Sequence, residues 1–171
     1  NDGIFKLGVD LISSESSSGK YVVRALLSSI GSKIETVYDS TYKTKIDSSQ
    51  TIWFEKNINN VMKWNAEQPN LYQLQLTLSD PFGKTLQSFT QQVGFRQIDM
   101  IDGNLKLNGE VLTLRGVNRH EWDPIKGRTI DEKSMVNDIK IMKENNINAV
   151  RCSHYPNQER WYELCNEYGL Y

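Results

Sequence analysis

Two short stretches hold most of the side chains in this sequence that could do chemistry. "GVNRHEWDP" spans Gly116–Pro124 and "AVRCSHYPN" spans Ala149–Asn157, and each opens on small or apolar residues before turning polar. Together they contain both histidines of the chain, His120 and His154, beside Arg119 and Arg151. Imidazole and guanidinium groups gathered on one concave surface present many donors, which suits an anion or a polyhydroxylated ligand. The competing reading of a single histidine is structural, a ring that satisfies a loop carbonyl. Arg151 lies within an apolar run, where an unpaired buried charge would cost on the order of several kcal/mol, so a carboxylate partner is expected for it. No obvious partner stands in the chain.

Other chemistries fit these residues less well. Hydrolysis of a glycosidic bond needs two carboxyls about 5 to 10 Å apart. Asp131 and Glu132 read better as first-turn acids of a helix, and Glu121 and Asp123 share one loop without a partner on a second strand. Ser153 and His154 are adjacent in sequence, which does not make a nucleophile and its base, because those meet in space and need a third, orienting group. Neither histidine has a metal-type spacing, so no metal ligand is expected, and Cys152 and Cys165 read as two buried free thiols.

The elements that must position the two stretches follow from periodicity. Beyond Gln97 the order reads strand (111–117), helix (131–144), strand (148–153), helix (158–168) and a further strand beginning at Leu170, a repeated βα pattern. "TIDE" fits a capping box with Thr129 as N-cap and Glu132 at N3, and Met135, Ile139 and Met142 make the apolar stripe behind it. Asn145-Asn146 reads as the stop. Asn157 is the expected N-cap of the second helix, Trp161, Leu164, Cys165 and Tyr168 its buried face, and Gly169 its terminator. In parallel βα architectures functional groups collect where strands end, so both histidines fall on one rim if the strands are neighbours.

Before Arg96 the period is two. Phe5, Leu7, Val9 and Leu11 alternate with Lys6, Gly8, Asp10 and Ile12, and Tyr72, Leu74, Leu76 and Leu78 with Gln73, Gln75 and Thr77. Turn-forming clusters at "SSESSSGK", "IGSK", "AEQPN" and "SDPFGK" separate such strands, which suggests an immunoglobulin-like sandwich. Asp102-Gly103 and Asn108-Gly109 mark tight turns around Leu105 and Leu107, and the domain boundary is placed near Gln97: residues 1–97 as the sandwich, 98–171 as the βα part.

The 171 residues carry 20 basic and 21 acidic side chains, a net charge of -1, with no long run of either sign. That gives no electrostatic footprint for nucleic acid or an anionic membrane. No apolar run nears the roughly 20 residues of a membrane span, and the first eleven residues lack the blocks of a signal peptide. The chain has no initiating Met and stops soon after a helix, which reads as a piece of a longer protein.

Beyond these inferences, "WNAEQPNLYQLQL", "GFRQIDMIDGNLKLNGEVLTLRGVNRHEWDP" and "NNINAVRCSHYPNQERWYELCNEYGLY" together resemble glycoside hydrolase family 2, in particular its bacterial β-galactosidases. The resemblance is strong from Trp64 to Tyr171; before Trp64 only strand pattern and order agree. It implies an all-β immunoglobulin-like sandwich followed by the first two βα units of an incomplete (β/α)8 TIM barrel. It implies a retaining enzyme that cleaves terminal β-D-galactosides such as lactose through a covalent galactosyl-enzyme, with both catalytic glutamates beyond Tyr171 and the fragment alone inactive. By the same resemblance His120 and His154 bind galactose hydroxyls and stabilise the transition state, and Arg151 orients the nucleophile carboxylate. Magnesium and sodium are implied for the parent and no cofactor for this chain, with a cytoplasmic, homo-oligomeric parent whose partner is a β-galactoside. Many relatives read "RHEHHP" where this chain has Trp122 and Asp123; no role is carried onto these two, and packing is the expectation for Trp122. A β-glucuronidase-like member and a non-catalytic carbohydrate-binding sandwich are the alternatives.

Overall fold

In the computed structural model, residues 2–13, 19–46 and 48–171 are described, and the chain divides into two compact units. One comprises Asn1–Met62 and Leu71–Phe95, the other Lys63–Asn70 and Arg96–Tyr171.

The first unit is built from strands β1 (Gly3–Ile12), β2 (Tyr21–Ser29), β3 (Thr36–Thr44), β4 (Ser49–Ile58), β5 (Tyr72–Ser79) and β6 (Thr85–Val93). β1 and β4 pair as one antiparallel sheet, and the other four form a second in the order β3-β2-β5-β6. Period-two alternation decides which side faces inward: in β1, Phe5 and Leu11 are buried while Lys6, Gly8, Asp10 and Ile12 are exposed. Val23, Ala25 and Leu27 of β2, Ile52 and Phe54 of β4, and Tyr72 and Leu74 of β5 complete a continuous apolar core. Two sheets closing on one such layer is the immunoglobulin-like arrangement. At "SDPFGK" the Asp80 carboxylate accepts from the backbone N–H groups of Phe82 and Lys84 at 2.9 and 2.8 Å, and Gly83 takes the positive φ of 88° that closes the turn. The "SSESSSGK" turn lies largely outside the described residues.

The second unit opens on a three-stranded meander, β7 (Ile98–Ile101), β8 (Asn104–Leu107) and β9 (Glu110–Val111), paired antiparallel in that order. Its two turns are those expected from sequence: Asp102 and Gly103 have φ 50° and 73°, Asn108 and Gly109 have φ 53° and 94°, the left-handed pair that an Asx-Gly dipeptide supplies at least cost. Then come β10 (Gly116–Arg119), α1 (Glu132–Glu144), β11 (Ala149–Cys152) and α2 (Glu159–Tyr168). β10 and β11 pair in parallel, with Asn118 opposite Arg151 and Arg119 opposite Cys152. The backbone of Tyr171 bonds Asn148 and Val150 at 2.8 Å each, so the chain after α2 returns to the edge of β11 as a further βα repeat requires. Met135, Ile139 and Met142 of α1 and Trp161, Leu164 and Cys165 of α2 pack with Leu170, Val117 and Val150 into a second core.

Several boundaries differ from the sequence reading. Residues 111–117 are not one strand: Val111 ends the meander, and the parallel strand starts at Gly116. The N-cap of α1 is Asp131, not Thr129; its carboxylate accepts from Ser134 N–H at 2.9 Å. Asp is as good a cap as Thr, and it also takes Lys126 at 2.5 Å, which frees Glu132 to reach Arg160 at 3.0 Å. α2 starts one residue later than expected, with Gln158 at the N-cap position and no side-chain cap of its own. Gly169 does end α2, at φ 76°, and a side chain there would also collide with the Ala66 carbonyl. Strand pattern does not announce that Lys63–Asn70 falls in the second unit. There Trp64 Nε1 donates to Asn166 O and Lys143 Nζ to Ala66 O, both at 2.8 Å.

Candidate functional site

The parallel pairing of β10 with β11 brings the ends of both strands together, and the two histidines with them. His120 follows the last residue of β10 and His154 comes two residues after the end of β11. Their ring centroids are 5.6 Å apart at 72°, edge to face, and Tyr155 stands 6.0 Å from His120. Both histidines are exposed.

Arg151 lies on the same rim. One guanidinium nitrogen donates to Ser153 Oγ at 3.2 Å and reaches Asn118 Oδ1 at 3.5 Å; the other meets His154 Nδ1 at 3.2 Å. A guanidinium can only donate, so Nδ1 of His154 is the acceptor and its proton sits on Nε2. The ring therefore offers one N–H donor outward. The expectation that Arg151 is a buried charge is corrected: it is exposed, so the large desolvation cost does not arise. Its acceptors are neutral, and among the described residues it forms no ion pair. The guanidinium keeps its full charge for an anionic partner.

Arg119 is the buried arginine, at 5 % exposure, and it does not face the rim. Nε donates to Asp138 Oδ2 of α1 at 2.9 Å, one terminal nitrogen reaches Asn157 Oδ1 at 3.3 Å and Glu121 Oε1 at 3.7 Å, and the guanidinium lies 3.7 Å over the ring of Trp161 in α2. That set joins β10 to both helices. Of the two arginines that the sequence reading grouped with the histidines, the structure leaves one for a ligand.

The carboxylates near the rim are all occupied. Glu121, 7 % exposed, accepts from Gln158 N–H at 3.3 Å. Asp123 accepts from the N–H groups of Lys126 and Ile125 at 2.8 Å each, and these bonds hold its carboxyl below the usual carboxylate range. Asp131 caps α1, and Glu132 pairs with Arg160. Fixed donors hold the carboxyls of Asp123, Asp131 and Glu132 below the usual range, which makes these three poor proton donors. Trp122 is 64 % exposed, so the packing expected for it is not found among the described residues. Cys165 is buried and its thiol is pushed up to about 12, chiefly by desolvation; Cys152 is half-buried, and both are free. Among the described residues no three His, Cys, Asp or Glu side chains converge as a metal site.

Sequence reasoning missed Glu121, Tyr155 and Asn157 as a set. Asn157 was expected to cap α2, but its side chain turns to Arg119 and to Tyr155 O, and Glu121 receives the N–H at the helix start instead. The available signal was "RHE": a histidine between two charges, each of which needs a partner once buried.

A rim of donors at the ends of two parallel strands, in a chain that also carries an antiparallel sandwich, defines a two-unit protein of the sandwich-plus-βα class. Comparison sharpens that class. Residues 1–96 match the family described as Glycosyl hydrolases family 2, and residues 98–171 match Glycosyl hydrolases family 2, TIM barrel domain. The chain belongs to glycosyl hydrolase family 2. It is 52 % identical over 117 residues to the β-galactosidase of Lactococcus lactis, covering 68 % of this chain and 12 % of that protein. It is 48 % identical over 127 residues to the β-galactosidase of Priestia megaterium, covering 74 % of this chain and 12 % of that one. Among solved structures it superposes on a β-glucuronidase of Parabacteroides merdae with TM-score 0.85 at 27 % identity, over 99 % of this chain and 21 % of that one. A family 2 member from Bacteroides cellulosilyticus gives TM-score 0.89 at 20 % identity, over 99 % and 23 %, a likeness of fold. The chain thus spans about an eighth of the length of these curated relatives.

Proposed function

We propose that these residues are part of a retaining β-galactosidase that hydrolyses terminal non-reducing β-D-galactosides such as lactose. The observation that carries this reading is the agreement of two things: relatives at about half identity bear that one name, and the strand-end rim gathers two exposed histidines and Arg151, donors that suit a polyhydroxylated ligand. His120 and the Nε2–H of His154 bind sugar hydroxyls and strengthen those contacts as charge develops in the transition state. Arg151, with its charge unneutralised, hydrogen-bonds and orients the nucleophile carboxylate, which reaches it from a part of the full-length protein outside these residues. The acid/base glutamate comes from there too, since the carboxylates of this rim are engaged in structure. Magnesium and sodium held elsewhere in the protein, a cytoplasmic location and a homo-oligomer belong to the same reading. No helix of the described residues is long and apolar enough to cross a membrane.

A second reading, a β-glucuronidase, has the structural likeness to the Parabacteroides merdae enzyme in its favour. The two separate on substrate. Assayed on a panel of nitrophenyl glycosides, the full-length protein should turn over the β-galactoside at least about tenfold faster in kcat/KM than the β-glucuronide; the reverse order would remove the galactosidase reading.

A further inference from the structure

The rim histidines are exposed, yet each stands between residues that are not free to move. Arg119 and Glu121, on either side of His120, are 5 % and 7 % exposed; Ser153, before His154, is 1 % exposed. Tyr155, after His154, holds the other side. Its hydroxyl accepts from Glu121 N–H at 3.0 Å and donates back to Glu121 O at 3.4 Å. The loop after β10 and the loop after β11 are therefore stitched together at the backbone of one residue. The Glu121 carboxylate adds a second stitch by accepting from Gln158 N–H, at the start of a helix whose N-cap side chain makes no capping bond. A carboxylate there satisfies an orphan donor and complements the positive end of the helix. Arg119 and Asn157 make the third, at 3.3 Å, and Asn157 Nδ2 holds Tyr155 O at 3.2 Å.

From this arrangement we infer that Glu121 and Tyr155 are positioning residues of the sugar site: they fix His120 and His154 at their mutual distance and act on the reaction only through those rings. The inference rests on the proposed role of the histidines and deepens it. Glu121 thus has a task that excludes proton transfer, because its carboxylate is buried, faces α2 and is spent on a backbone donor. Tyr155 likewise is no sugar ligand through its hydroxyl, which is committed to Glu121. Loops are where sites misalign, and a displacement of about 1 Å at such contacts can cost on the order of 100-fold in rate.

The test is a double-mutant cycle in the full-length protein, read as kcat and KM on whichever nitrophenyl glycoside the wild type turns over best, so the choice of sugar does not decide the outcome. Tyr155→Phe, which removes one oxygen, and Glu121→Gln, which keeps the shape and an acceptor, should each lower kcat by about 5- to 50-fold with KM changed less than about threefold. In a background that carries both His120→Ala and His154→Ala the same substitutions should cost less than about twofold, since both rings they position are gone. Equal losses in both backgrounds, or no loss in either, would overturn the inference. Should Glu121→Gln fail to fold, the Tyr155→Phe cycle decides alone. A wild type that hydrolyses a glycoside other than a galactoside defeats the functional reading and leaves this one standing on its own cycle.

Discussion

In the sandwich the buried residues, from Phe5 through Leu27 and Phe54 to Leu74, are apolar, and charged side chains meet at the surface, as Arg24 meets Asp39 at 2.6 Å. In the second unit Arg119, Glu121, Ser153 and Asn157 are buried as well, and among the described residues these four are the buried polar or charged set. Arg119, Glu121 and Ser153 adjoin His120 or His154 in sequence, and Asn157 follows three positions after His154 and bonds Arg119. A domain that only has to fold can leave its charges in water, where they cost little and contribute little. A domain that must hold two exposed rings at a set separation has to anchor the loops that carry them, and short loops have few apolar side chains to do it with. Polar burial is the remaining means, here with one terminal nitrogen of Arg119 left without a hydrogen-bond partner, and it is brittle because removing one member strands the others.

That difference is open to test from its largest consequence downward. Arg119→Met removes the cation from between Asp138 and Glu121 and leaves a buried carboxylate without its ion partner. Destabilisation of about 3–5 kcal/mol is expected, confined to residues 63–70 and 96–171. Hydrogen exchange by mass spectrometry on the full-length protein should speed up in β10, β11 and α2 and remain unchanged in β1 to β6; equal loss of protection in both units would end the distinction. Next in size, His154→Ala should lower kcat/KM on the preferred glycoside by about 100- to 1,000-fold while thermal stability stays within about 0.5 kcal/mol of wild type, because the ring is exposed and its work is in the transition state. A mutant that melts early yet turns over normally would reverse the assignment. For the sandwich the matching experiment is Leu27→Ala, at 0 % exposure, which should cost about 2–5 kcal/mol through lost burial and a cavity, with protection lost in β2 and its neighbours β3 and β5 and the rim unaffected.

How much of this was legible beforehand follows the same division. Period-two alternation in β1 and β5, the Asx-Gly turns at Asp102 and Asn108 and the apolar stripe of α1 are set by neighbours along the chain, so local pattern finds them. The placement of His120, Arg151 and His154 on one rim was legible too, because parallel strands have a polarity that a βα repeat discloses. What local pattern could not show is which of two similar arginines would be buried. Arg119 and Arg151 differ by facing opposite sides of a two-stranded pairing: Arg119 points to α1 and α2, where Asp138 and Trp161 wait, and Arg151 to the open side. The cap of α1 was misread for a related reason. Asp131 takes the place expected for Thr129, its carboxylate accepting from Ser134 N–H and pairing with Lys126, a partner that a threonine hydroxyl could not match in charge.

The smallest expected effect is the one that should be alike in both units. Asp131 is exposed, and its carboxyl is held well below the usual range, first by the hydrogen bond from Lys126 and then by Ser134 N–H. Asp39 in the sandwich is lowered mainly by its hydrogen bond from Arg24. A carboxyl with a depressed folded value contributes stability above its unfolded value of about 4, and that contribution is lost as pH falls from there through the folded value. Asp131→Asn keeps an acceptor for the cap and removes the charge, so its deficit against wild type should be present at pH 7 and shrink below pH 4; Asp39→Asn should behave the same way. Thermal melts of the two variants and wild type between pH 2.5 and 7 would measure it. Parallel, modest acid limbs would place both pairs with ordinary screened surface contacts, whereas a much steeper limb for Asp131 would mean that the polar network beneath the rim extends out to the start of α1.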